Sequence, residues 1–149
     1  MKYCPIYNAL TRNGLINVTC TDRRLALNGS YINFQNDITG VSIGSNIVFV
    51  LFDSRDEGIT HEELLRNNVN AYDFNGNFLW SIGDVIDETR SFERMSIHNA
   101  SSLAKHDTSC QPVLIKDEHE YLVLYTYGDQ RFVIDVTEKK QIQKKGGFR

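Results

Sequence analysis

Gly40-Val41-Ser42-Ile43-Gly44 has the Gly-x-Ser-x-Gly spacing that, in a nucleophile elbow, lifts a serine above a sheet on a strained strand-to-helix turn. Here it is followed by Ser45-Asn46 and the strand-like run Ile47–Phe52 rather than a helix, so it reads as a small turn between strands and Ser42 takes no catalytic role. His61, His98, His106 and His119 form no His-x-His pair and no His-Glu-x-x-His, and no cysteine stands at zinc spacing from them. His106, Asp107, Cys110 and His119 crowd one stretch, where the chemistry would be that of a thiolate–imidazole pair. With no further partner in the pattern they read as loop residues. Asp117, Glu118 and Glu120 offer carboxylates but lack the oxygen-rich spacing of a calcium loop, and they read as a charged turn. Neither a Walker pattern nor Gly-x-Gly-x-x-Gly occurs, so no phosphate cradle is expected. Asn17, Asn28 and Asn99 stand in Asn-x-Ser/Thr triplets, read as coincidental. The residues thus predict no catalytic group, no metal and no cofactor.

Charge says more by segment than in total. Residues 1–52 carry +2, residues 53–120 carry −8 and residues 121–149 carry +3. Nucleic-acid binding needs a cationic surface, because much of its affinity comes from neutralising phosphates. The one basic cluster is the tail, with Lys139, Lys140, Lys144, Lys145 and Arg149, which reads as an edge strand protected by lysines. Nucleic acid is therefore not an expected partner.

The elements that would hold these residues are short. The chain has 149 residues, 41% of them apolar and 23% charged, which fits one globular domain over 1–149. No apolar run approaches the ~18–20 residues of a membrane span. The N-terminus has no long apolar core, and three cysteines without CxxC spacing suggest reduced thiols in a cytoplasmic protein. Apolar runs bounded by turn signals recur about every ten residues, which predicts a mainly β chain: an antiparallel meander of about eight to ten strands as a sandwich, partial barrel or propeller-like sheet. The predicted strands are 15–19, 24–27, 31–34, 47–52, 69–74, 77–82, 113–116, 121–127, 131–136 and 141–144. Thr60-His61-Glu62-Glu63 has capping-box spacing and predicts one short helix near 61–67. A second helical turn is allowed around Ser101–Ala104.

Two hairpins can be set in register. Asn75-Gly76 suits a two-residue type I′ loop, pairing Tyr72 with Leu79, Ala71 with Trp80 and Val69 with Ile82. Both faces of that hairpin are apolar, so it is covered on both sides or offers one face to a partner. Gly128-Asp129 suits a type II′ loop, pairing Tyr125 with Phe132, Val123 with Ile134 and Tyr121 with Val136 as one core face.

The segment Asn70–Trp80 resembles a blade hairpin of quinoprotein-type β-propellers, and it occurs once. With the second hairpin, Tyr127–Asp135, the pattern is similar to small stand-alone bacterial all-β proteins. In type, a small, acidic, single-domain chain also resembles the immunity proteins that protect bacteria from contact-delivered or polymorphic toxins. That resemblance implies a cognate toxin as partner, neutralised by covering its active site. Such toxins are frequently nucleases with cationic substrate surfaces, so anionic residues would steer the encounter. The expected partner-binding residues are Asp53, Asp56, Glu57, Glu62 and Glu63, then Asp84, Asp87, Glu88 and Glu93. A ligand-binding barrel or sandwich using Tyr72, Phe74 and Leu79 is the alternative, and a small enzyme using Cys110 and His106 is the third reading.

Overall fold

The computed structural model describes residues 6–11, 14–53, 68–86, 91–106 and 115–146. Three four-stranded antiparallel sheets follow one another along the chain, each a meander in sequence order. The first holds β1 (Ile6–Thr11), β2 (Gly14–Thr21), β3 (Arg24–Leu27) and β4 (Ser30–Asn33). The second holds β5 (Ile38–Ile43), β6 (Val48–Phe52), β7 (Val69–Tyr72) and β8 (Phe78–Ser81). The third holds β9 (Phe92–Asn99), β10 (Glu120–Thr126), β11 (Gln130–Asp135) and β12 (Lys140–Gly146). A helix, α1 (Ala100–His106), follows β9, where the second helical turn was allowed.

The sheets are layered, with the second in the middle. Phe49, Leu51, Val69, Ala71, Trp80 and Ile82 pack on Phe92, Leu122, Leu124, Phe132 and Ile134 of the third sheet. Val48, Val50, Phe52 and Tyr72 turn the other way, onto Ile16, Val18, Cys20, Leu25 and Leu27 of the first. A strand covered on both faces has no use for polar alternation, which is why Val48–Phe52 is apolar throughout and buried at every position. The far face of the third sheet, with Tyr121, Val123 and Val133, lies under Leu103 of α1. The far face of the first sheet is polar, with Asn17, Thr21, Arg24 and Asn33 exposed.

The meander is thus found, with twelve strands among the described residues. β1, β5 and β9 are additions to the sequence reading. Ile115 and Lys116 lie outside any strand, and Val113 and Leu114 lie outside the described residues. Gly40–Ile43 belong to β5 itself, so the Gly-x-Ser-x-Gly run is strand rather than turn up to Gly44. The helix expected near 61–67 falls outside the described residues.

Both hairpin loops carry one residue more than the sequence reading gave them. Asp73 N–H donates to Asn77 O at 3.0 Å and Gly76 N–H to Asp73 O at 3.1 Å, and Gly76 alone is left-handed, at φ +87°. This is a type I turn closed by a glycine bulge, not a type I′ turn. Ala71 still opposes Trp80, but Tyr72 opposes Phe78 and Leu79 is displaced. In the second hairpin Asp129 takes the left-handed place at φ 59°, and its N–H donates to Thr126 O at 3.1 Å. The pairing becomes Tyr125 with Arg131, Val123 with Val133 and Tyr121 with Asp135. A slip of one residue exchanges faces. Phe132 and Ile134 therefore leave the side of Tyr121 and Val123 and join the second sheet's core.

Candidate functional site

A concavity among the described residues lies where the β5–β6 turn meets the third sheet. Gly44 has the packing space of a glycine only: a Cβ there would stand 2.8 Å from Ile47 Cγ2, 3.0 Å from Ile97 Cδ1 and 3.2 Å from Glu120 Oε1. That closeness lets Ser45 N–H donate to both oxygens of the Glu120 carboxylate, at 3.1 and 3.0 Å. Two clefts flank the contact and share Ser45, Glu118 and Glu120 in their walls. One, of about 430 Å³, adds Asn46, Ile47, Val136 and Thr137. The other, of about 360 Å³, adds Ile97, His98, Asn99 and His119.

The side chains around these clefts are held by a hydrogen-bonded network. Asp135, 1% exposed, accepts from His119 Nδ1 at 2.8 Å and from Glu138 N–H at 2.9 Å. Glu138 pairs with Lys116 Nζ at 2.5 Å, and this carboxylate holds the ammonium above its ordinary range. Lys116 N–H donates to the Tyr121 hydroxyl at 2.6 Å, and burial raises that phenol above its usual value. Donor atoms of His119, Asp135 and Glu138 lie within 4.8 Å of one another, a set that could in principle hold a divalent ion. As the network stands, those donors already serve one another and Lys116. His98 is also engaged on both nitrogens, by Ser96 Oγ at 2.9 Å and Ser102 Oγ at 2.8 Å. With Asn99 Oδ1 accepting from Ser102 N–H at 2.7 Å, this pins α1 to β9. The sequence reading weighed His98, His119, Glu118 and Glu120 one stretch at a time and missed Asp135 and Glu138, because these stretches are distant from one another and from Ser45 along the chain.

The residues expected to bind a partner sort differently. Asp53 follows β6, Asp84 ends the 3-10 turn Ile82–Asp84 after β8, and the exposed Glu93 is the second residue of β9. Antiparallel order places these three at one end of the second and third sheets, opposite the clefts. Asn68 ties that end together. Its buried amide donates to Phe52 O at 3.2 Å and Phe92 O at 2.7 Å and accepts from Phe92 N–H at 3.0 Å. Asp84 accepts from Ser81 N–H at 3.0 Å, so its carboxylate also caps the turn. Asp56, Glu57, Glu62, Glu63, Asp87 and Glu88 lie outside the described residues, as do Asp107 and Cys110. Tyr72 and Phe74 are no ligand platform: they pack between the first and second sheets with Phe34 and Phe52, while Leu79 is exposed.

A family model described as a domain of unknown function, DUF7957, matches residues 15–120, from β2 to the start of β10. The chain belongs to the DUF7957 family. A search of the curated proteins gives no match. Among solved structures, the crystal structure of BBS1N in complex with ARL6DN, soaked with mercury, is similar with a TM-score of 0.60 at 12% identity, over 97% of this chain and 40% of that one. Its lead-soaked counterpart is similar with a TM-score of 0.58 at 12% identity, over 95% of this chain and 38% of that one. The DUF7957 chain thus spans about 40% of the length of these structures. At this identity the likeness concerns the fold: three consecutive four-stranded meanders arranged like a run of β-propeller blades. Among the described residues, no helix is long and apolar enough to cross a membrane.

Proposed function

We propose that this DUF7957 chain is a non-catalytic binding protein that neutralises a basic partner, in the manner of an immunity protein covering the active site of a cognate toxin. The reading is supported by one convergence. Asp53, Asp84 and Glu93 come from three separate stretches to one end of the sheet stack. The residues that bound the undescribed acidic stretches, Asp53 with Asn68 and Ile86 with Ser91, lie at that same end. A layered scaffold that brings Asp53, Asp84 and Glu93 to one end suits electrostatic steering toward a cationic surface.

The test is co-expression with the product of the neighbouring gene, scored by cell survival and by association rate at low salt. The wild-type chain is expected to protect and to bind. A variant with Asp56, Glu57, Glu62 and Glu63 reversed to lysine is expected to associate at least about tenfold more slowly with unchanged thermal unfolding. Equal association by the reversed variant would remove this surface from the reading, and failure of the wild type to protect would remove the immunity role. The clefts around Glu118, Glu120, His98 and His119 favour a second reading, a small polar ligand, which a thermal-shift screen would reveal as a concentration-dependent rise in Tm.

A further inference from the structure

The exposed face of the first sheet carries an arginine that is already fixed in place. Arg24 stands between Thr21 on β2 and Asn33 on β4 in the strand register. Its Nε donates to Asn33 Oδ1 at 2.9 Å, and its Cζ lies 5.2 Å from the centroid of the Tyr31 ring. Among the described residues, the two terminal nitrogens of Arg24 have no hydrogen-bonding partner in the protein. The neighbouring Arg23 is held in the same way through Nε, by Asp37 Oδ1 at 3.0 Å. Thr21, Arg23, Arg24, Asn33 and Phe34 line a cleft of about 360 Å³, and among the described residues no carboxylate lines it. The Phe34 ring that closes it is backed by Phe52 and Tyr72, at centroid distances of 4.9 and 5.6 Å.

A guanidinium held at Nε and stacked on an aromatic ring has lost its rotamer freedom before any ligand arrives, so binding costs less entropy. Its remaining N–H groups point from one plane and match the paired oxygens of a phosphate or carboxylate. Polar amide and guanidinium walls backed by an aromatic floor suit a small molecule whose anionic head enters first. We propose that this cleft binds an oxyanion, the phosphate or carboxylate head of a small ligand, with Arg24 as the principal contact and Asn33 and Tyr31 as its positioning residues. The cleft adjoins the end of the stack that holds Asp53, whose N–H donates to Asp37 O at 2.8 Å, but it is lined by other residues than those that carry the functional reading above.

Arginine Nε–Hε NMR signals of the full chain, titrated separately with inorganic phosphate and with sodium acetate against a sodium chloride control of matched ionic strength, test it. The Arg24 signal is expected to shift saturably with one or both anions, while Arg94, stacked on Tyr125 outside the cleft, follows the chloride control. Saturation by phosphate alone assigns a phosphate head, and by acetate alone a carboxylate head. Arg24→Lys keeps the charge at an exposed position but loses the fork, and is expected to weaken binding about tenfold by chemical shifts of the cleft backbone. Asn33→Ala leaves both charges and frees Nε, and is expected to weaken it by a smaller factor. Arg24 moving in parallel with Arg94 in every titration, or Arg24→Lys binding as tightly as wild type, would overturn the site. An unchanged affinity in Asn33→Ala would overturn the positioning role.

Discussion

Asn68 shows how much one buried polar side chain can carry. Its amide satisfies two carbonyls and one N–H from β6 and β9, all sealed from water at the junction of two sheets. Asn68→Ala leaves those groups unpaired, and unfolding in denaturant is expected to show a loss of about 3 kcal/mol. Asn68→Asp should cost more at neutral pH, because its second oxygen would face two carbonyl oxygens. Asp73 acts at the surface instead. It accepts from the N–H groups of Asn75 and Asn77, both at 2.9 Å, and from Asn77 Nδ2 at 3.0 Å. The Asn77 backbone hydrogen bond, then its side chain, holds the Asp73 carboxyl below its ordinary range. A depressed folded-state pKa means that the folded chain binds fewer protons, so this stabilisation is full above about pH 4 and fades as pH falls through the folded value. In Asp73→Asn, which cannot titrate there, that part of the acid-induced loss should vanish. Thermal unfolding between pH 2 and 5 would show a shallower decline than in the wild type.

Among the elements, the β5–β6 turn and α1 decide how the third sheet is held. Gly44 allows the turn to approach closely enough for the Ser45–Glu120 contact, and Gly44→Ala must push Ile47 or Ile97 aside. The expected cost is about 1–3 kcal/mol by denaturant unfolding, with the Glu120 contact loosened. A Gly29→Ala control separates packing from backbone strain, since Gly29 is left-handed at φ +89° but has nothing within 4 Å of an added Cβ. Leu103, 1% exposed, is the part of α1 that covers Tyr121 and Val123. Leu103→Ala is expected to cost about 2–5 kcal/mol. Amide exchange should quicken in β10 and β11 more than in β2 and β3, because the uncovered face belongs to the third sheet alone.

For the whole molecule, the stack resembles a short array, the first sheet packing on the second and the second on the third among the described residues. Its middle layer is apolar on both sides, its third layer is covered by a helix, and its first layer turns a polar face outward. If a basic partner docks on the anionic end, its association rate should fall steeply between low and physiological salt while the dissociation rate changes little. Stopped-flow mixing at two ionic strengths distinguishes this from an apolar interface, whose association rate would barely respond. The sequence by itself determined that the chain is a β meander, and it located nine strands, because strand propensity and turn residues act over neighbouring positions. It also marked Ile47–Phe52 as an apolar strand and placed the turns of the two hairpins. Only the tertiary structure decided which way the second hairpin faces, since a Gly-Asp pair can close a loop of two or three residues and one residue exchanges the faces. It alone joined Ser45 to Glu120, Asn68 to Phe92 and Asn33 to Arg24. Those partners are brought together by the layering of sheets and the register of strands, which depend on the chain as a whole rather than on any local run of residues.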